Sequence, residues 1–459
     1  MRRAGASHGA VGSSGWSALA ASLLCATSFA HVGTAHVGTA QAQAGAAAPA
    51  QSSAAATTLS APKPGEVGGP GLAVLAAKAL IASDTGPQVI DHALLTVRDG
   101  RIEACVAREG AALPAGYVVF DLGSRWVMPG MIDLHSHIGG SGSDINDMVY
   151  QTNEGLRVAP TVVPRNENLL RCLAAGVTSV LYIPGSGTNI GGQGALIKTG
   201  LDNFEETVIR DPGSMKVAQG DNPTRWGYGM GRSMMNYHIR GTVRRGLSYV
   251  RQNEADPLAR PYDPQFEVFR ALAKHETQIS THTQMYQLVL NTITMLKGEF
   301  GLDVYIDHGE WRGFLAAELA ERAGVAAIVG PREVDWPGGR NGDPDGRVLS
   351  CAGEYQRRGL SRIGFNTDAP VVPAEELANQ AASSARLGFE TAAMQAVRGL
   401  TIVPAVVAGI DDKVGSLEPG KHADFVVISG DPVDPRSVIE RVYIEGREVY
   451  TKGVGGRPW

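Results

Sequence analysis

The sequence predicts an α/β protein whose long middle is a parallel barrel or doubly wound sheet, with a small β domain drawn from both ends of the chain. Two observations carry this. Over about 270 residues short apolar runs alternate with helical stretches, the pattern of repeated strand-helix units. Outside that middle, on both sides, lie runs rich in Val, Ile and Leu with no helical periodicity, broken by turn signals.

The elements follow in order. Arg2 and Arg3 precede a mildly apolar run over 16–30, and small residues follow, ending in Ala40-Gln41-Ala42 and Ala42-Gln43-Ala44. This is the layout of a secretory signal peptide with an A-x-A cleavage site, so residues 1–42 are expected to direct export to the periplasm or the exterior. Cys25 after Leu24 leaves a lipid anchor as the lesser alternative. The repeat beginning at His31 and His36 lies in this processed segment, and its histidines are read as incidental. Residues 43–70 are Ala, Ser, Thr, Pro and Gly with almost no large apolar side chain, and a disordered linker is expected there. Strands are expected at 72–80, 93–97, 101–106 and 117–122, separated by Asp99-Gly100 and Pro114-Ala115-Gly116. Their counterparts near the other end are 425–428 and 442–448, with Gly430-Asp431-Pro432 and Glu445-Gly446 as turns, giving terminal β segments over 71–128 and 412–459 around a barrel over 129–411. In the middle, strands are expected at 131–134, 177–183, 215–218, 278–282, 303–308, 326–329 and 362–367, with helices at 284–300, 314–323 and 375–387.

Composition removes several function classes. The 41 Lys and Arg against 46 Asp and Glu give a net charge of −5, and no basic stretch offers a footprint for nucleic acid. Cys25, Cys105, Cys172 and Cys351 lie far apart with no zinc-knuckle spacing, so neither a disulfide framework nor a cysteine metal site is expected. Beyond the leader no apolar run reaches the length of a membrane span.

Chemistry gathers at the C-terminal ends of the apolar runs, where an α/β barrel places its active site. In Met131-Ile132-Asp133-Leu134-His135-Ser136-His137 the two histidines stand at i and i+2, on the same face of an extended strand, so both imidazoles can reach one metal ion. Alone, the pair reads equally well as surface histidines. His282, His308 and Asp368 also close apolar runs, and imidazole with carboxylate is a ligand set suited to zinc and similar divalent ions. Lys216 stands inside the apolar run 215–218, where an unpaired ammonium is costly to bury. Lys198, after the glycine-rich 187–194, competes with it and reads as a loop-to-strand residue.

These residues resemble the metal-dependent amidohydrolase superfamily, in its imidazolonepropionase-like and prolidase-like branch. The resemblance rests on Pro129-Gly130-Met131-Ile132-Asp133-Leu134-His135-Ser136-His137, on His282, His308 and Asp368 in order, and on the closing Gly415-Ser416-Leu417-Glu418-Pro419-Gly420-Lys421-His422-Ala423-Asp424. It implies a (β/α)8 TIM-type barrel with a small β-sandwich formed by both chain ends, and places His422 on the sandwich side as a structural residue. It also implies one or two divalent ions, with zinc expected: His135, His137 and Asp368 hold the first, His282 and His308 the second, and a carboxylated Lys216 bridges them. Asp368 is then the general base, and the reaction is hydrolysis of a C–N bond in a small amide, cyclic amide or peptide substrate, with a dipeptidase-like activity among the candidates. A homo-oligomer is compatible with this reading.

Two alternatives stay open: a single-metal imidazolonepropionase- or deaminase-like hydrolase in which Lys216 is structural, and an inactive binding protein on the same barrel. The insertion over 185–211 and the segment Asp221-Asn222-Pro223-Thr224-Arg225 depart from plainer members and leave the substrate open. Arg225 and Arg232 are candidates for a substrate carboxylate through bidentate contacts. The loop 331–347, with Trp336, is read either as a lid or as an ordinary connection.

Overall fold

The computed structural model describes residues 61–86, 88–224, 231–330 and 349–454, and the backbone of 334–335. The expected leader, most of the expected linker, Arg225 and nearly all of the expected lid lie outside the described residues.

The strands in chain order are β1 (Leu72–Leu80), β2 (Val89–Arg98), β3 (Arg101–Ala107), β4 (Val118–Asp121), β5 (Trp126–Pro129), β6 (Met131–Ser136), β7 (Val177–Tyr182), β8 (Ile190–Lys198), β9 (Val208–Ala218), β10 (Ile279–Thr283), β11 (Val304–His308), β12 (Ala327–Val329), β13 (Val334–Asp335), β14 (Leu349–Ser350), β15 (Ile363–Phe365), β16 (Phe425–Ile428), β17 (Ile439–Ile444) and β18 (Arg447–Thr451). Both chain ends meet in one eight-stranded sheet of order β18-β17-β16-β5-β1-β2-β3, with β4 alongside β1. The seam between the ends is the antiparallel pair β5 and β16, in register Phe425 to Pro129. The expected turn at Glu445-Gly446 is present, with φ 49° and 70°, and it folds the run 442–448 into the hairpin of β17 and β18.

Some residues expected as linker are fastened against this sheet as turns. Gly100 N donates to Gly65 O at 2.9 Å, and a Cβ on Gly65 would stand 2.7 Å from Gly446 O. Two glycines let the backbones touch there, so 61–70 is ordered by hydrogen bonds rather than by apolar burial.

The second eight-stranded sheet runs β6-β7-β8-β9-β10-β11-β12-β15 in spatial order. His137 N donates to Ala369 O at 2.7 Å and Ser136 bridges Ala369, which brings the segment leaving the last strand back to the first. Ile132, Leu134, Leu181, Leu196, Tyr305 and Ile328, all buried, share one apolar cluster with the helix Ile402–Ala408. The outer layer includes Arg232–Ala255, whose buried Met235, Ile239, Val243, Gly246 and Val250 recur at three- and four-residue spacing.

The sheet departs from an all-parallel barrel at one strand. β8 runs antiparallel to both β7 and β9, and it forms from the glycine-rich stretch expected to be an insertion. The glycines are what allow it: a Cβ on Gly194 would sit 2.5 Å from Ile183 Cγ2 and 2.8 Å from Tyr182 O. Close approach of neighbouring chains, not flexibility, selects glycine there.

Candidate metal centre

β6 ends in Asp133, Leu134, His135 and Ser136, all fully buried. Alternation along the strand puts Asp133, His135 and His137 on one side, and the three do different things. Asp133 accepts the His135 backbone N–H at 3.0 Å and the Thr367 hydroxyl at 2.5 Å, while Ala369 N donates to Thr367 Oγ1 at 3.2 Å. This ties β6 to the turn that carries Asp368. Burial pushes the Asp133 carboxyl up to about 7, against the hydrogen bonds that favour its ionised form.

His135 and His137 converge on Asp368. The two Nε2 atoms lie 3.3 Å apart, and each is 3.1 Å from Asp368 Oδ1. The other ring nitrogens face outward, His137 Nδ1 to Ile183 O at 2.8 Å and His135 Nδ1 to Asp307 Oδ2 at 2.6 Å. Asp368 holds φ 51° and His308 φ 72°, a left-handed backbone that costs non-glycine residues about 1–3 kcal/mol and that clusters at functional sites. His308 Nδ1 is anchored on Gly330 O at 2.6 Å and its Nε2 meets His282 Nδ1 at 2.9 Å, leaving His282 Nε2 buried without a partner. Lys216 is fully buried on β9, its Nζ 3.1 Å from His135 Nε2.

In the tautomer that donates Nδ1–H to those outer acceptors, the Nε2 atoms of His135 and His137 present lone pairs toward the site of the Asp368 carboxylate oxygen, the form in which they bind a metal. Two imidazole nitrogens and a carboxylate oxygen converging within 3.3 Å form a donor set that fits a divalent ion. Electrostatics agrees. Burial and the neighbouring rings hold His282 well below the ordinary histidine value, and burial with the His135 charge brings His308 to about 4, so both keep the neutral form that binds metal. Burial opposes ionisation of Asp368, but the charge on His135 and hydrogen bonds from both histidines outweigh it and hold the carboxyl well below its ordinary value. Burial also brings the Lys216 ammonium down to about 8, within reach of the neutral amine.

The structure therefore brings His135, His137, Lys216, His282, His308 and Asp368 into one chain of contacts at the C-terminal strand ends. Lys198 does not join them. As the last residue of the antiparallel β8 it emerges at the other end of the sheet, where its Nζ meets His422 Nδ1 at 2.8 Å, Asp424 at 3.0 Å and Glu445 at 2.8 Å. His422 belongs to this fastening as well. Arg232 opens the helix Arg232–Ala255 and lines a cavity of about 370 Å³ with Gln219 and Asn291, beyond the end of β9. Asp307, given no role by the sequence, lies against His135. In a regular strand it would point away from the side chain of the next residue, but the positive φ at His308 ends that alternation.

The amidohydrolase family model matches residues 354–449, which include Asp368 and the closing segment. "Amidohydrolase tasK" of Hapsidospora irregularis is 24% identical over 405 residues, covering 79% of this chain, and the chain spans only 39% of that relative's length. The imidazolonepropionase of Deinococcus radiodurans is 25% identical over 371 residues, covering 74% of this chain and 86% of the relative. Among solved structures, an amidohydrolase from Thermotoga maritima MSB8 is 28% identical with a TM-score of 0.72, covering 83% of this chain and 100% of that one.

Proposed function

From the chain's membership of the amidohydrolase superfamily, we propose that it is an exported, metal-dependent hydrolase of C–N bonds in small amides, cyclic amides or dipeptides. The observation that carries this reading is the convergence of His135 Nε2, His137 Nε2 and Asp368 Oδ1, each within 3.3 Å of the others. These three residues would hold one ion and His282 with His308 a second, with zinc the expected metal and a carboxylated Lys216 common to both. A divalent ion held there lowers the pKa of bound water from about 16 towards 7 and polarises a carbonyl.

The chain's own groups supply the rest. Asp368, ionised at neutral pH, takes the proton of the attacking water on its carboxylate and hands it to the leaving nitrogen. Thr367, held between Asp133 and the Ala369 amide, fixes the turn from which Asp368 works. The support for export is the sequence pattern of residues 1–42, and export suits a role in scavenging peptides or other amides.

The test is a measurement of metal per chain on purified mature protein, followed by hydrolysis of dipeptides, N-acyl amino acids and cyclic amides before and after chelation. One to two ions per chain and chelator-sensitive hydrolysis are expected. A single tightly held ion with unmodified Lys216 selects the single-metal reading, and full activity in metal-free protein overturns both.

A further inference from the structure

His137 and His308 anchor their outer ring nitrogens on backbone carbonyls, of Ile183 and Gly330. His135 instead uses a side chain: its Nδ1 lies 2.6 Å from Asp307 Oδ2, and both residues are fully buried. The other carboxylate oxygen is also taken, since Asn366 Nδ2 donates to Asp307 Oδ1 at 3.0 Å and to Ile328 O at 2.7 Å.

We propose that Asp307, clamped by Asn366, is a positioning residue that fixes the tautomer and direction of His135, and that the cluster's affinity for metal depends on it. This rests on the metal-dependent reading above. A neutral imidazole carries one N–H, and the partner of one nitrogen decides what the other can do. At 2.6 Å the carboxylate accepts the Nδ1–H of His135, which leaves Nε2 as the nitrogen directed at His137, Asp368 and Lys216 and free to present its lone pair to a metal. With both oxygens held, the carboxylate cannot rotate away, and at zero exposure no water can replace it. For the same reason Asp307 stands behind the ring and is not itself a ligand, although it lies close enough to His135 and His308 to be grouped with them. A carboxylate on the outer nitrogen also raises the basicity of the inner one, and loss of such partners typically weakens metal binding 10- to 100-fold.

The experiment compares metal-free wild type with Asp307→Asn, titrating each with Co²⁺ and reading the visible ligand-field bands together with affinity in competition with a chelating indicator. In the variant an amide accepts from His135 only by setting its own N–H₂ against the Asn366 N–H₂. With the thermal midpoint showing a folded variant, binding about 10- to 100-fold weaker with displaced bands is expected. Equal affinity and unchanged bands in the two proteins would overturn the inference while leaving the metal-dependent reading intact. No Co²⁺ binding by wild type would instead overturn that reading and this inference with it. Should Asp307→Asn fail to fold, ¹⁵N resonances of the histidine rings in metal-free wild type decide: Nδ1–H on His135 supports the assignment, and Nε2–H overturns it.

Discussion

Asp368 and Lys216 differ in what their removal tests. Asp368 sits on a left-handed turn within 3.1 Å of two histidine nitrogens, so Asp368→Asn keeps the shape of the side chain and removes its basicity. General-base catalysis is typically worth 10²- to 10⁴-fold, and turnover is expected to fall by at least that much, read as kcat on any substrate the panel identifies. Wild-type turnover in the variant would place the base elsewhere. Lys216 is tested through metal content. Lys216→Ala is expected to lose the second ion and most of the activity, and Lys216→Glu to recover part of both, since it presents a carboxylate on a shorter stem. Short-chain acids added to Lys216→Ala are expected to restore some turnover. Full metal content in Lys216→Ala, measured by elemental analysis, argues for a structural amine.

At the scale of elements, the fastening of β8 to the terminal sheet carries its own prediction. Lys198 and Asp424 are each 2% exposed, and breaking a buried ion pair from one side costs about 3–5 kcal/mol because a charge is left uncompensated. Lys198→Ala is therefore expected to lower the thermal midpoint while leaving the metal content of the surviving folded protein unchanged, the reverse of Lys216→Ala. A loss of metal at unchanged stability would mean that β8 ends where the histidines lie. The same cluster predicts an acid limb. Burial opposes ionisation of Glu445, but the Lys198 charge prevails and lowers its pKa. The stability this contributes is present above the unfolded value of about 4.3 and is lost as the pH falls through the lower folded value. Denaturant titrations from pH 6 to pH 3 are expected to show a steeper loss in wild type than in Lys198→Ala, and parallel curves would remove Glu445 from the account.

For the whole molecule, ions that bind the folded chain and not the unfolded one stabilise it by mass action, about 2.7 kcal/mol at a hundredfold excess over Kd. Chelation is expected to lower the thermal midpoint and abolish activity together, and added Zn²⁺ to restore both. The histidines lie on or directly after β6, β10 and β11 while Asp368 follows β15, so ions held by them would join opposite ends of the barrel sequence. A chelator that removes activity without moving the midpoint would show that the cluster is rigid without metal. Among the described residues no helix is long and apolar enough to cross a membrane.

Local sequence alone was enough to say that His135, His137, His282, His308 and Asp368 gather at strand ends, and that the described segments flanking the barrel are β-structured. Alternation is local physics: His135 and His137 share a face because neighbouring Cβ atoms on a strand point oppositely, and no tertiary contact is needed to say so. Sequence periodicity did not reveal the helix Arg232–Ala255, because its apolar positions are diluted by arginines and polar residues and its packing comes from the barrel beneath. Tertiary structure alone decided three further matters. Glycines over 187–194 read as a loop until the crowded approach of Gly194 to β7 shows that a strand can pass there only without side chains. The direction of that strand then separates Lys198 from Lys216, two residues alike in local sequence, by carrying one to the terminal sheet and the other to the histidines. Asp307 became visible only through the positive φ of His308 and the ring of His135, 172 residues away. Local sequence encodes the face on which a side chain stands, whereas its partner across the barrel is set by strand order and direction, which depend on packing of the whole chain.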